Sequence, residues 1–438
     1  MDTQRADALK RLDEKLERAA RREGAELSSL VLCLVREGRL IHEFACGRAR
    51  IAASDAETDS PARPDTLYRV ASISKIATAM AALSLLEEGR LDLDTDVSDY
   101  LGWPLRNPAY PDRAISSAML LSHLSSLRDG ERYTMPLGGE LRGFFEPQGS
   151  AWEGGAHFAA PQAGKHADMS PGSFFSYCNL GYGVVATVIE RITGERFDRY
   201  VKRRVLEPAG MEASYNVNLL SDAAFARLAP LYRTGAEGAY EPRGTWRAQV
   251  DDYKGARPVL PCPALPGIGP DALDTYTPGT NATFFSPQGG LRASIRDLSR
   301  LLLLFLGKGE LEGRRVLKPE SLDIMMKSRW RFTPDTPNGD CYNGMTRECG
   351  LGLMHTTDTR DRFGGDALLP SGGPKLWGHH ADAYGLLGGL LFHPEEGYGF
   401  AYLLGGSAED PEKLRGGHSS FFIWEEDIHA AAIEALLA

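Results

Sequence analysis

Two short motifs and one strand carry the residue types that could do chemistry on a carbonyl. Ser72-Ile73-Ser74-Lys75 places a hydroxyl and an ammonium three positions apart, which on a helix is one turn along one face. A serine attacks a carbonyl only when a neighbouring base takes its proton, and a lysine pushed toward neutrality by burial can be that base or orient it. A helix N-terminus at Ser72 would add a free backbone N–H beside the nucleophile, the start of an oxyanion site. Most of the 49 basic residues are arginines, and this is the chain's only Ser-x-x-Lys. The same residues also read as an N-cap serine followed by an exposed lysine, and the motif alone does not choose between the two.

Tyr177-Cys178-Asn179 is likewise the only Tyr-x-Asn, set between the loop Ser170-Pro171-Gly172 and a helix. A phenol beside a lysine cation is lowered in pKa and can pass a proton between serine and leaving group. The asparagine can hydrogen-bond both a substrate carbonyl and the lysine. Taken in isolation, a loop tyrosine with an asparagine helix cap accounts for the pair better. The third segment, Trp377-Gly378-His379-His380-Ala381-Asp382-Ala383-Tyr384-Gly385, reads as a polar, glycine-flanked edge strand whose backbone N–H can face a bound carbonyl. His379 and His380 point to opposite faces of a strand, so at most one of them faces a given pocket. Neither His-x-x-x-His nor Cys-x-x-Cys occurs, and a bound metal is not expected.

These motifs need elements to hold them. Residues 4–23 carry an apolar stripe (Ala6, Leu9, Leu12, Leu16, Ala19, Ala20) at helical spacing. Residues 28–35 and 40–46 read as a hairpin through Arg36-Glu37-Gly38-Arg39. Residues 72–88 are helical, with small Ala77, Ala79, Ala81 and Ala82 for close packing and Gly89 as the stop. Helices follow over 180–192, 291–306 and 420–437, and adjacent strands over 384–392 and 398–405. Residues 130–173 and 233–287 are rich in Gly, Pro and aromatics and read as long loops, of the kind that line sites. Trp152, Phe158, Trp246 and Tyr253 are candidates to line a substrate pocket, or to anchor those loops. His123 reads as a core histidine at a helix end, and His157, His166 and His355 as surface or loop residues. The layout suggests one antiparallel sheet built from both ends of the chain, with a middle insertion forming a second lobe.

The 438 residues are 42% hydrophobic and 25% charged, an ordinary globular mix. A net charge of −10 without a basic block offers no footprint for nucleic acid or anionic membrane. No apolar run reaches membrane-span length. The charged N-terminus lacks signal-peptide features, and six scattered cysteines do not make a disulfide framework. Reduced thiols and the cytoplasm are expected, or a periplasmic or secreted protein whose leader has been removed. Cys341 and Cys349 are near enough in sequence to pair under oxidising conditions.

In order and spacing the three segments resemble the serine β-lactamase/penicillin-binding-protein superfamily. They are most similar to its class C-like branch of β-lactamase-related serine hydrolases, which includes esterases, D-stereospecific peptidases and DD-carboxypeptidases. Tyr68-Arg69-Val70-Ala71, the stretch from Leu120 through Ser122-His123 to Leu127, Ser176 to Gly183, and Ser286-Pro287-Gln288-Gly289-Gly290-Leu291 are similar as well. The resemblance implies a β-lactamase/transpeptidase-like α/β fold of the α+β type, with a central antiparallel sheet flanked by helices. Its sheet lobe would take about 1–70 and 285–438, and an inserted, mostly helical lobe about 71–284.

The resemblance also implies roles. Ser72 would be the acylated nucleophile and Lys75 its proton partner. Tyr177 would be the base in acylation and the acid toward the leaving group, though Lys75 is an alternative base. Asn179 would hold the substrate carbonyl. His379 falls where the family has Lys or His, and the backbone N–H of Ala381 or Asp382 would be the second oxyanion donor. Ala381 replaces an expected glycine, and its methyl should narrow the strand's approach to ligand; His379 in place of lysine weakens the charge that would bind a substrate carboxylate. The implied activity is hydrolysis of an ester or amide through an acyl-enzyme on Ser72, with no cofactor. A D-stereospecific peptidase or DD-carboxypeptidase is one alternative, and an inactive ligand-binding or scaffold homologue another. The expected partner is a small ester, amide or peptide, and the sequence has no signature of oligomeric state.

Overall fold

The computed structural model describes residues 3–52, 58–161, 168–236, 238–241 and 243–438; His166 lies outside the described residues. The chain opens with helix α1 (Thr3–Ala20). The main sheet takes β1 (Ser29–Arg36), β2 (Arg39–Arg50) and β3 (Ser60–Pro61) from the N-terminal part. From the C-terminal part it takes β4 (Trp330–Arg331), β5 (Glu348–Cys349), β6 (Met354–His355), β7 (Trp377–Ala383), β8 (Leu386–His393) and β9 (Tyr398–Leu404). The nine strands lie in the order β4-β5-β6-β7-β8-β9-β1-β2-β3, every neighbour antiparallel. The two ends of the chain join at β1 and β9, where Leu32 faces Tyr402.

Side chains alternating across each strand bury both faces. Leu30, Leu32 and Leu34 of β1, with Phe400, Tyr402 and Leu404 of β9, pack under α1 and the C-terminal helix α5 (Ile423–Leu437). Val31, Cys33 and Val35, with Leu386, Leu390 and Phe392 of β8, face the other layer. That layer holds α2 (Ser74–Glu87), α3 (Asn179–Thr193) and α4 (Ile295–Leu306). Helix α2 is buried from Ser74 to Leu85, as befits a helix with no polar stripe. Gly352, at φ +71°, presses directly on α2: a Cβ there would sit 2.7 Å from the Ala79 methyl and 3.1 Å from the Lys75 carbonyl oxygen. The expected α/β architecture, with a central antiparallel sheet flanked by helices, is the one observed.

Several local expectations need correction. The helix expected from 291 begins at Ile295, because Arg292–Ala293 pairs with Tyr68–Arg69 and Ser294 with Asp297 forms a capping box. The C-terminal helix likewise starts at Ile423 rather than 420. The loop region 233–287 contains a strand, Arg247–Val250, paired with Leu231–Arg233. His157 is buried, its Nε2 2.9 Å from the Arg132 carbonyl oxygen. His355 sits on β6, stacked on Trp377 and 3.0 Å from Glu348. All six cysteines, Cys341 and Cys349 included, are free. No helix among the described residues is long and apolar enough to cross a membrane.

The double-faced core makes a quantitative expectation. Leu390→Ala removes a fully buried side chain from the centre of β8 and should cost about 2–5 kcal/mol in urea unfolding. Leu40→Ala, on the exposed start of β2, should change stability by about 0.5 kcal/mol or less. Equal effects would contradict this burial pattern.

Candidate active site

Ser72 sits in a 3₁₀ turn, Ala71–Ile73, that runs straight into α2. It is therefore inside the helical segment and caps nothing, which removes the N-cap reading. Ala71, just before it, has φ +44°, a left-handed conformation that costs a non-glycine residue energy and recurs where function demands a fixed orientation. One turn on, the Lys75 ammonium is fully buried. It donates to Ser72 Oγ at 3.1 Å, to Asn179 Oδ1 at 2.8 Å and to the Gln288 carbonyl oxygen at 2.9 Å. Its Nζ also lies 4.7 Å from the Tyr177 ring centroid and 5.3 Å from that of Tyr182. Burial lowers the Lys75 pKa to about 7, opposed by the negative charge of Asp129. At neutral pH both protonation states of this lysine are populated.

The Tyr177 hydroxyl donates to Ser72 Oγ at 2.8 Å, so the Ser72 hydroxyl lies between phenol and amine. A phenol lowered by Lys75 is not what is found: burial pushes the Tyr177 pKa up, against the lowering by its hydrogen bond to Ser72. Tyr177 therefore stays a proton donor across the working range. It is held from several sides. Its ring stacks on His123 with centroids 4.3 Å apart, and its backbone N–H donates to the Tyr342 hydroxyl at 3.1 Å. The N–H of Cys178 donates to His123 Nδ1 at 3.0 Å. His123 is thus a buried histidine as expected, but the backbone satisfies only its Nδ1, its Nε2 having no partner among the described residues; it is also the platform under Tyr177.

Asn179, the first residue of α3, spends its amide on the network: Oδ1 accepts from Lys75, and Nδ2 donates to Asp129 Oδ2 at 2.8 Å. One amide hydrogen remains for a substrate carbonyl. Asp129 also accepts the Leu180 N–H at 2.9 Å, fixing the start of α3. Asp129, the Gln288 carbonyl and the supporting role of His123 were not assigned from the sequence. Asp129 lies two residues beyond the 120–127 stretch, and Gln288 lies within a stretch whose similarity was evident but whose contribution is a main-chain oxygen.

Strand β7 closes the other side. It is not a sheet edge: β6 pairs with its first two residues, Trp377 and Gly378, so only the part beyond them is open on that side. His379 and Ala381 are buried on the face toward Tyr177. His380 packs the opposite way, against Phe421 and His429, and Asp382 is exposed. His379 Nδ1 lies 2.6 Å from the His380 carbonyl oxygen and so carries the ring proton, leaving Nε2 as an acceptor without a protein partner. Burial and the nearby Lys75 charge lower the His379 pKa to about 3, so the ring is neutral. Ser72, Tyr177 and residues 379–382 line one cavity of about 230 Å³, walled also by Tyr342, Met345 and Met354. Of the aromatic candidates in the loops, only Tyr253 lines a cavity next to this site; Trp152 and Phe158 pack in the core and Trp246 lines a separate cleft. No cluster of metal-ligating side chains occurs among the described residues.

The structure brings Ser72, Lys75, Tyr177 and Asn179 together, and residues 16–418 match the Beta-lactamase family model. The chain belongs to the beta-lactamase family. This serine hydrolase is 27% identical over 349 residues to Protein Rv1367c of Mycobacterium tuberculosis (strain ATCC 25618 / H37Rv), covering 75% of this chain and 77% of that protein. It is 30% identical over 213 residues to Esterase EstB of Burkholderia gladioli, covering 46% of this chain and 50% of that one. In structure it is similar to the D-amino acid amidase from Ochrobactrum anthropi SV3 complexed with D-phenylalanine, with a TM-score of 0.64 and 18% identity over 98% of each chain.

Because the Asp129 carboxylate stabilises the Lys75 ammonium, Asp129→Asn should lower the lysine's pKa further. The midpoint of the pH dependence of Ser72 labelling by a fluorophosphonate should move to lower pH. A midpoint that stays or moves upward would exclude this coupling.

Proposed function

We propose that this serine hydrolase is a carboxylesterase that works through a covalent acyl-enzyme on Ser72, within one catalytic domain whose sheet lobe (about 1–70 and 285–438) closes on the lobe of about 71–284. The observation that carries the reading is the position of Ser72 Oγ, 3.1 Å from Lys75 Nζ and 2.8 Å from the Tyr177 hydroxyl. Neutral Lys75 takes the Ser72 proton as Oγ bonds to the carbonyl carbon. The tetrahedral oxyanion is met by backbone N–H groups at Ser72 and at Ala381 or Asp382. As the carbon–oxygen bond breaks, the Tyr177 phenol protonates the leaving alkoxide. The Lys75 ammonium formed in the first half-step then lies over the ring of the resulting phenolate, where opposite charges stabilise each other. Water attacks the acyl carbon and gives its proton to Tyr177, while Lys75 returns the first proton to Ser72 Oγ.

The preference for an ester over a D-peptide or β-lactam rests on His379. A neutral ring offering a lone pair to the leaving-group cavity supplies no cation for a substrate carboxylate, and the methionines and Tyr342 around it suit an apolar or neutral leaving group. A small ester or amide is the partner, with no cofactor. Thiols buried at Cys33, Cys178 and Cys349 suit a reducing compartment such as the cytoplasm.

The test is intact-mass detection of an acyl adduct across short-chain esters, D-peptides and β-lactams. The expected result is an adduct with esters at Ser72, abolished in Ser72→Ala, whose kcat/KM should fall by about 10³-fold or more. An adduct that survives Ser72→Ala would exclude the mechanism, and one formed with D-peptides but not with esters would exclude the esterase. The same protein yields a pH prediction. Since the reactive lysine is the neutral form, kcat/KM should rise with pH through a midpoint near 7. No fall from Tyr177 ionisation should follow up to about pH 9, because its pKa is raised. A rate flat between pH 6 and 8 would remove Lys75 as the base.

A further inference from the structure

A second and larger cavity, about 650 Å³, lies beside the Ser72 site, reached through residues that neighbour Lys75 rather than through Ser72 itself. Gln288, whose carbonyl holds Lys75, opens onto it, and so does Tyr384, the residue after β7. The proton donor to the leaving group, Tyr177, lines only the smaller cavity. A substrate with its carbonyl at Ser72 and its leaving atom at Tyr177 therefore points its acyl chain into the larger one.

The charges in that cavity do not balance. Arg292 is held by Asp251 in a buried bidentate pair at 2.9 and 2.7 Å. Arg132 has Glu153 at 3.8 Å, and Glu131 is exposed at the mouth. Arg69, partly buried in the wall, makes no direct ion pair with a carboxylate among the described residues; Asp251, whose oxygens are taken by Arg292, acts on it only at longer range. Its Nε donates to the Gly289 carbonyl at 3.1 Å and its guanidinium lies 5.3 Å from the Tyr384 ring centroid. Burial and the neighbouring Arg292 charge disfavour the Arg69 cation, only partly opposed by Asp251, yet a guanidinium does not give up its proton in a protein. A cation placed in this way, with its fork unspent, awaits an anion. Tyr384 strengthens the case. It occupies a two-residue hairpin turn between β7 and β8 with φ +57°, followed by Gly385 at φ +90°. Such turns favour Asn or Asp at that position, and a bulky aromatic is strained there. Its ring lines the cavity beside Arg69.

We propose that the larger cavity is an acyl-group subsite selective for a carboxylate, with Arg69 as the residue that binds it, so that the substrates are half-esters of dicarboxylic acids. This rests on the acyl-enzyme reading above. The experiment compares p-nitrophenyl hydrogen adipate with its methyl ester, each corrected for the rate without enzyme. The wild type should favour the carboxylate by about ten- to a hundredfold in kcat/KM. In Arg69→Gln that ratio should fall to about one, and in Arg69→Lys it should be partly kept. Because the ratio is taken within one protein, any loss common to both substrates cancels. A wild type that prefers the methyl ester, or a ratio unmoved by Arg69→Gln, overturns the proposal. Intact mass on the same reactions separates the two readings. Equal acylation of Ser72 by both esters overturns the subsite alone, and acylation by neither overturns the acyl-enzyme reading with it.

Discussion

Everything in this molecule's chemistry depends on one buried amine. An ammonium inside a protein is costly unless each of its hydrogens finds an acceptor, and Lys75 has three: a hydroxyl, an amide oxygen and a main-chain carbonyl. None of the three is charged, so the ion is satisfied without being strongly retained. The negative charge of Asp129 raises the lysine's pKa through space, while its hydrogen bond goes to Asn179 rather than to the lysine. Removing that separation would create a buried ion pair that holds the proton; removing Asp129 would make the lysine lose its proton at lower pH. The observed arrangement lies between these extremes, which is where general-base chemistry near neutral pH requires it.

Each acceptor arrives from a different part of the chain, and this sets what the fold must do. Ser72 and Lys75 come with α2, Asn179 with the start of α3, and Gln288 from the turn that precedes the strand pairing of Arg292–Ala293 with Tyr68–Arg69. Thr78, one turn beyond Lys75, donates to the Pro287 carbonyl at 2.7 Å and clamps that turn against the helix. Of the positions with positive φ, Ala71 precedes Ser72, His123 stacks on Tyr177, and Ser286 and Tyr384 line the larger cavity. Their left-handed backbone is sustained by packing around α2, a cost that a large two-sided core can carry.

The parts of this site that were legible in the sequence are those encoded by side-chain type at fixed spacing. Ser72 and Lys75 are a helical turn apart whatever surrounds them, Tyr177 and Asn179 bracket a helix start, and the alternation in β1, β8 and β9 follows from a period of two. The parts that were not legible act through the main chain or through distance. Gln288 contributes a carbonyl, which every residue has. His123 contributes a ring face and a lone pair, visible only once residues 176–178 are folded over it. The edge character of 377–385 was overestimated because β6, its partner, is two residues long and carries no periodic signal. Tyr177 was misjudged in sign, since proximity to lysine is read from sequence whereas burial is read from the fold.

The two cavities differ in a way that follows from where strand β7 begins and ends. At its start, His379 presents a neutral ring, because the Lys75 charge and the surrounding protein both oppose its protonation. Past its end, Tyr384 reaches Arg69, whose charge is permanent. A carbonyl bound along this strand thus has no cationic side chain lining the leaving side, where Asp382 and Glu425 also lie, and a cationic one on the acyl side. A carboxylate on the leaving group would be desolvated beside His379 without compensation, whereas the same group at the far end of the acyl chain would meet a guanidinium already paying for its own burial. Polarity along a single strand is therefore enough to orient a substrate, and it does so with residues that take no part in bond making.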